Sequence, residues 1–253
     1  MKSRVKDKNN KRRSFRDLNR HEKINLILYV VVTISFIIPV IFIVIRLAAG
    51  KIIPSQTSGA GSTASYVLMI VECILGALVI NVPSVLARRL KFELPIILYS
   101  LYIIFLYCAV FLGEVGSFYY LVPFWDTILH AFSSLMLGFF GLMFISILNR
   151  NERIVMHLSP FFVVLFAFCF AVAFNTVWEI YEFTVDSIMD LNMQKYITAD
   201  GTLLAGRAAL ADTMKDIIVD VAGALVAAVV GYFSIKSEKL WFTPNLIGDD
   251  KAN

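Results

Sequence analysis

The sequence predicts an all-α, polytopic integral membrane protein of about six transmembrane helices, and three observations predict it. Hydrophobic residues fill 58% of the 253 positions and charged residues only 17%, against roughly 45–50% and about 25% in soluble domains. Mean hydropathy is +0.75. The apolar residues gather in six uninterrupted runs, each near the roughly 20 residues a helix needs to cross a hydrocarbon core about 30 Å thick. None of the runs alternates with the short period of a membrane β-barrel. Helices also satisfy their own backbone groups where lipid offers no water.

The runs lie near residues 24–48, 64–87, 94–113, 126–148, 159–188 and 212–235. The first follows a basic leader and offers small residues at Leu47-Ala48-Ala49-Gly50. It exceeds the roughly 7–15 residues of a secretory core, so it is read as an uncleaved helix. Pro39 and Pro83 fall inside the first two runs and are expected to kink them. Between runs three and four, Phe118-Tyr119-Tyr120 with Phe124-Trp125 reads as an interfacial aromatic belt. The fifth run is long for one crossing, and its last turns are expected to project into the interface. Gly223-Ala227-Gly231 and Ser134-Gly138 repeat small residues at four-step spacing, which predicts close helix packing. Cys73, Cys108 and Cys169 fall within runs without CxxC spacing and read as small buried apolar residues. The organisation is therefore a basic leader (1–23), a six-helix membrane domain (24–235) and a tail (236–253).

Charge sets the expected orientation. The leader carries Lys2, Arg4, Lys6, Lys8, Lys11, Arg12, Arg13, Arg16, Arg20 and Lys23. Arg88, Arg89 and Lys91 follow run two, Arg150 and Arg153 follow run four, and the tail adds Lys236, Lys239 and Lys251. The alternate connections hold only Lys51, then none in 114–125, then Lys195 and Arg207. Basic residues mark the cytoplasmic side, so both termini are expected in the cytoplasm, with a bacterial plasma membrane as the location. Membrane lipids are the expected partners of the leader, at about 1 kcal/mol per basic residue near an anionic surface. Without aromatic interleaving or a nucleic-acid-binding motif, no nucleic acid is expected. Oligomeric state is left open.

Polar residues inside the runs carry the functional signal. Asp126 and His130 open the fourth run, Asn175, Glu179, Glu182 and Asp186 close the fifth, and Asp212, Lys215, Asp216 and Asp220 open the sixth. With alternating crossings these three ends meet on one side, expected to be the outside. Steps of three and four place each set on one helix face. Levelling Asp126, Asp186 and Asp212 at the interface puts His130, Glu182 and Asp216 about 6 Å deeper, and Glu179 and Asp220 deeper still. Carboxylates at a helix centre cost roughly 2.5–3.5 kcal/mol each on insertion scales and mark function by default. Asp126 and Asp212, at helix starts, also suit plain capping.

Oxygen ligands with one imidazole suit Mg²⁺, Mn²⁺, Fe²⁺ or Zn²⁺. The candidate ligands are His130, Glu182, Asp216, Asp126, Asp186 and Asp212. Glu179 and Asp220, the deepest, are the candidate general bases. Arg207 and Lys215 are candidate substrate contacts, and Arg46 is a third cation near that end. Protonated carboxylates along a proton path are the alternative to a metal. Glu72 is a further intramembrane carboxylate that either joins the cluster or bonds a neighbouring helix. Loop 192–211, with Gly201 and Gly206, is placed to close over the site.

One motif is excluded. Asp200-Gly201, Arg207, Asp212 and Asp216 fall short of the CDP-alcohol phosphotransferase signature, because the Arg is displaced and Ile197 and Ala208 stand where Asp and Gly are required. Trp125-Asp126-x-x-Leu129-His130, Trp178-Glu179-x-x-Glu182-Phe183 and Asp212-Thr213-x-x-Asp216-x-x-x-Asp220-x-x-Gly223-Ala224 do resemble the motifs of the YjdF-like family. That family comprises uncharacterised bacterial polytopic membrane proteins, and the likeness spans roughly residues 94–235. There is a weaker likeness to VanZ-like proteins. Relatives of the first kind carry a TQGDxWDxxxD segment where this chain has Ala209-Leu210-Ala211-Asp212-Thr213. The resemblance implies a fold and no reaction. The residues themselves favour a metal-dependent hydrolase or transferase acting on a lipid or lipid-linked envelope substrate. The alternatives are an ion- or proton-coupled transporter and a non-catalytic envelope protein whose cluster fastens helices.

Overall fold

The computed structural model describes residues 18–49, 63–149, 158–189, 191–198 and 201–237. The leader through residue 17, Lys51, Arg150, Arg153, Asp200 and the tail from residue 238 lie outside them. Among the described residues the chain is helical, with one isolated bridge between Ile197 and Leu203. Six helices among these residues are long and apolar enough to cross a membrane.

The first crossing is α1 (Arg20–Ala48). It starts with a reciprocal cap, in which Glu22 N donates to Asn19 Oδ1 at 2.9 Å and Asn19 N donates to Glu22 Oε2 at 2.8 Å. Pro39 is accommodated without ending the helix. The second crossing is two helices, α2 (Thr63–Val79) and α3 (Val82–Leu90). Pro83 therefore does more than kink this run: it sits in the first turn of α3, where a missing N–H costs nothing. The Asn81 side chain steadies the join, donating to Ala77 O at 3.0 Å and accepting from Tyr29 at 2.9 Å.

The third crossing begins as α4 (Ile96–Leu106) and continues as a π-helix, Tyr107–Val115. Gly116 N closes the wide turn onto Phe111 O at 2.7 Å. A short helix α5 (Phe118–Leu121) leads into α6 (Trp125–Asn149). The last two crossings are α7 (Pro160–Met189) and α8 (Ala211–Lys236). At 30 residues, α7 is about 45 Å long. It overshoots a core about 30 Å thick, as its sequence length anticipates.

Two apolar cores hold these helices. One joins α1, α2 and α4 around Val32, Phe36, Cys73, Ile80 and Ile103. Phe36 is fully buried because Gly76 opposes it; a Cβ there would lie 3.0 Å from the ring. The other core joins α6, α7 and α8 through Leu142, Met143, Ile145, Val164, Ala167 and Ala228. Large apolar side chains elsewhere point outward, among them Ile38, Ile45, Phe161, Ile218 and Phe233. Such a surface suits lipid and not water. Cys73 is buried as expected, but Cys169 is exposed on this apolar exterior.

The small residues predicted to pack closely do so, and they set the register. A Cβ on Gly138 would lie 2.4 Å from Ala227 Cβ, and one on Gly223 would lie 3.0 Å from Ser134 Cβ. The same parallel register seats Gly231 against Leu142. Across the antiparallel pair, Gly141 opposes Ala167, and Ser133 donates to Asn175 Oδ1 at 3.3 Å.

Candidate functional site

Extending those registers toward the Trp125 end of α6 decides which acidic residues meet. On α8, Asp220 comes level with His130. On α7, Glu179 does so, while Glu182 comes level with Asp126. Both helices stand about one turn, roughly 5 Å, further out than levelling Asp126 with Asp186 and Asp212 assumes. The expected rung of His130, Glu182 and Asp216 is thereby corrected in one member. Glu179 takes the place of Glu182 beside His130, Asp220 joins it, and Asp216 stays within ligand distance of the imidazole.

The distances bear this out. His130 Nδ1 lies 3.1 Å from Asp220 Oδ2. Its Nε2 lies 3.7 Å from Glu179 Oε1 and 3.8 Å from Asp126 Oδ1. Among the described residues, two triads offer ligand atoms mutually within 4.8 Å: Asp126, His130 and Asp216, and His130, Glu179 and Asp220. Relative exposure is 1% for Asp216, 2% for Asp220, 4% for Glu179 and 5% for His130. Both Glu179 oxygens, Asp216 Oδ1 and Asp220 Oδ1 are buried without a hydrogen-bond partner. Ser134 donates to the Asp220 backbone oxygen, and Ser133 donates to His130 O at 2.9 Å. These hydroxyls lock backbone and leave the carboxylates alone.

The other nominated residues divide. Asp186 is buried, but its two oxygens accept Met193 N at 2.8 Å and Gln194 N at 2.9 Å. It fastens the loop after α7 rather than facing His130. Glu182 accepts Trp178 Nε1 at 3.0 Å. Asp212 does not serve as the cap of α8; Leu210 holds that position without a side-chain bond. Lys215, 45% exposed, stands 3.9 Å from both Asp212 Oδ1 and Asp216 Oδ1. Arg207 is exposed beyond Gly206, and Arg46 lies over the Phe42 ring at 4.9 Å.

The cation that binds the carboxylates at the mouth is Lys195, a loop residue whose place in the sequence speaks only to orientation. Its Nζ reaches Asp126 Oδ2 at 2.5 Å and Asp212 Oδ2 at 3.3 Å. The backbone that aims it is left-handed, with φ 51°. Asn192 braces the turn by bonding Ile197 N and Ile197 O, each at 2.8 Å, and Gln194 Nε2 donates to Thr213 at 2.9 Å. Burial works against the charge of Lys195, but Asp126 and then Asp212 more than reverse it and raise its pKa above the usual lysine range. A lysine many residues from its partners, with no helical periodicity, gives no sequence signal of such a contact.

Glu114 carries no sequence signal of a place here either, and Tyr119, expected only as part of the interfacial belt, lies beside it. The Tyr119 ring covers Gly113, where a Cβ would lie 2.4 Å from it. Burial, then the charges of Glu114, Asp126, Glu72 and Glu182, push its hydroxyl well above the ordinary tyrosine pKa. Glu72 is buried with Oε2 unpartnered. Its charged neighbours are Glu114 and Glu182, so it joins the acidic region through the π-helix.

A family described as a predicted membrane protein (DUF2238) matches residues 28–237. An uncharacterised protein of Thermotoga maritima is 33% identical over 131 residues, covering 51% of this chain. The chain spans 59% of the length of that curated relative. No solved structure matches.

Proposed function

The chain belongs to this family of predicted membrane proteins, and on that footing we propose that its His130 cluster holds a divalent cation and catalyses hydrolysis or group transfer on a lipid or lipid-linked envelope substrate. The observation that carries the reading is the set of buried carboxylate oxygens without donors around one imidazole. Three carboxylates, on Glu179, Asp216 and Asp220, face a single histidine, and Lys195 is engaged one layer further out. Ligand bonds of about 2.0–2.2 Å set neighbouring ligand atoms about 3–3.5 Å apart. The separations of 3.7 and 3.8 Å from His130 Nε2 are too long for hydrogen bonds and close to what an ion between them requires.

The ion would sit with His130, Asp126 and Asp216. Asp220 holds the opposite ring nitrogen and orients the imidazole, as carboxylates behind metal-bound histidines do. A bound ion would supply Lewis acidity toward a phosphoryl or carbonyl oxygen. Glu179, with both oxygens free beside the same nitrogen, is the general base that takes the proton of the attacking water. Glu182 and Asp186, nominated as ligands, act instead through Trp178 and the loop. The positive-inside count supports a site open to the outside of a bacterial plasma membrane with both termini cytoplasmic. Beyond the cluster the α6–α7–α8 core is apolar, which supports a one-sided site over a path through the membrane.

Glu179→Gln tests the catalytic half. It keeps shape and amide hydrogen bonding, so expression and thermal stability hold while complementation of a strain lacking the protein is lost. Full complementation by Glu179→Gln sinks the catalytic reading and leaves the cluster as a fastener.

A further inference from the structure

Above the His130 cluster lies a cavity of 270 Å³. Its lining is mixed: Leu121, Val122, Phe124 and Trp125 are apolar, and Lys195, Lys215, Asp126 and Asp212 are charged. Leu121 is 64% exposed and Phe124 is 75% exposed, so the apolar lining continues as a lip onto the exterior of the bundle, where the membrane-crossing helices end.

The charged lining holds unused donors. Lys215 has no acceptor nearer than the two carboxylate oxygens at 3.9 Å, beyond hydrogen-bonding reach, so its three N–H groups are available. Lys195 spends two of its three on Asp126 and Asp212. Behind the lining, Trp125 Nε1 and Thr127 Oγ1 are buried without a partner. The first turns of α6 and α8 both open here, and helix N-termini favour anions. Donors without acceptors call for a ligand made of acceptors. The apolar lip calls for one with a hydrocarbon tail.

We infer that this cavity takes the phosphate group of a phosphorylated lipid, with the phosphate between Lys215 and Lys195 and the chain leaving over Leu121 and Phe124. A phosphate fits better than a carboxylate because its extra oxygens reach both lysines together, and lysine is a regular phosphate partner. The volume, just below the usual range of roughly 300–1,000 Å³ for ligand pockets, suits a small headgroup. This inference rests on the proposed function for its setting, since it names the substrate of that site. It stands on different residues.

The test uses the full chain, purified in detergent with Mn²⁺ present. Short-chain phosphatidate, phosphatidylcholine of the same chain length and inorganic phosphate are each titrated in by calorimetry. Phosphatidate binds, phosphatidylcholine does not, and inorganic phosphate binds at least about tenfold more weakly for want of the tail. Lys215→Ala, at an exposed position that does not endanger folding, weakens phosphatidate about tenfold, and Lys195→Ala also weakens it. Undiminished binding in both variants, or equal binding of phosphatidylcholine, overturns the inference. Inorganic phosphate binding as tightly as phosphatidate overturns its lipid half. Metal content of the same samples keeps the two readings apart. Metal-loaded protein that ignores phosphatidate sinks this inference alone, and metal-free protein that binds it sinks the metal site alone.

Discussion

Replacing Lys195 by Met removes the ammonium that bridges α6 and α8 while keeping most of the apolar stem. Its Nζ stands 2.5 Å from Asp126 and 3.3 Å from Asp212. A unit charge pair near 4 Å is worth about 4 kcal/mol at an effective dielectric of 20. The lysine side chain is 34% exposed, so screening and desolvation leave a net loss of about 1–2 kcal/mol. For a chain of this length that lowers the unfolding midpoint by about 2–8 °C. The folded pKa of Lys195 lies above that of the unfolded chain. Its contribution is therefore fully present below about pH 10.4 and is lost only as pH rises through the higher folded value. Thermal melts in detergent at several pH values measure this. A double-mutant cycle with Asp126→Asn isolates the pair, with an expected coupling of about 1 kcal/mol. Zero coupling, or a Lys195→Met protein as stable as wild type across neutral pH, refutes the bridge.

Packing makes a second prediction. Gly138→Ala drives a methyl into Ala227 Cβ at 2.4 Å, where neither side chain can turn aside, whereas Gly231→Ala meets the movable end of Leu142 at 2.5 Å. Melts should show Gly138→Ala destabilised by about 1–3 kcal/mol and Gly231→Ala by clearly less; the reverse order contradicts the register. Orientation makes a third. Thr198→Cys, exposed in the loop after α7, should react with a membrane-impermeant maleimide in intact cells, while a reporter fused after Asn253 reports cytoplasm. Protection of Thr198→Cys overturns the outward placement of the site.

Much of the fold was legible because a membrane crossing is a composition signal. A long apolar run declares its own helix whatever it packs against. The polar stripe Asn175, Glu179, Glu182 and Asp186 was legible for a similar reason, since periodicity on one helix needs no partner. Register between helices was not legible. It is set by close approaches such as Gly138 with Ala227 and Ser134 with Gly223, and a shift of one turn exchanged Glu182 for Glu179 beside His130. Lys195 was hidden because a loop, braced by Asp186 and Asn192, delivers it. Glu114 was hidden because a π-helix, which no hydrophobic period announces, turns it toward Glu72 and Tyr119.

Elemental analysis of the purified full chain decides whether the carboxylates around His130 hold a divalent cation. Protein prepared without chelator, exposed to Mn²⁺ or Zn²⁺ and then dialysed, should retain metal in near-stoichiometric amount. Asp216→Asn and His130→Gln should each lose most of it, while Arg207→Ala, outside the cluster, keeps it. Wild-type protein that retains no metal, or retains no more than both site variants do, rules out a metal at His130.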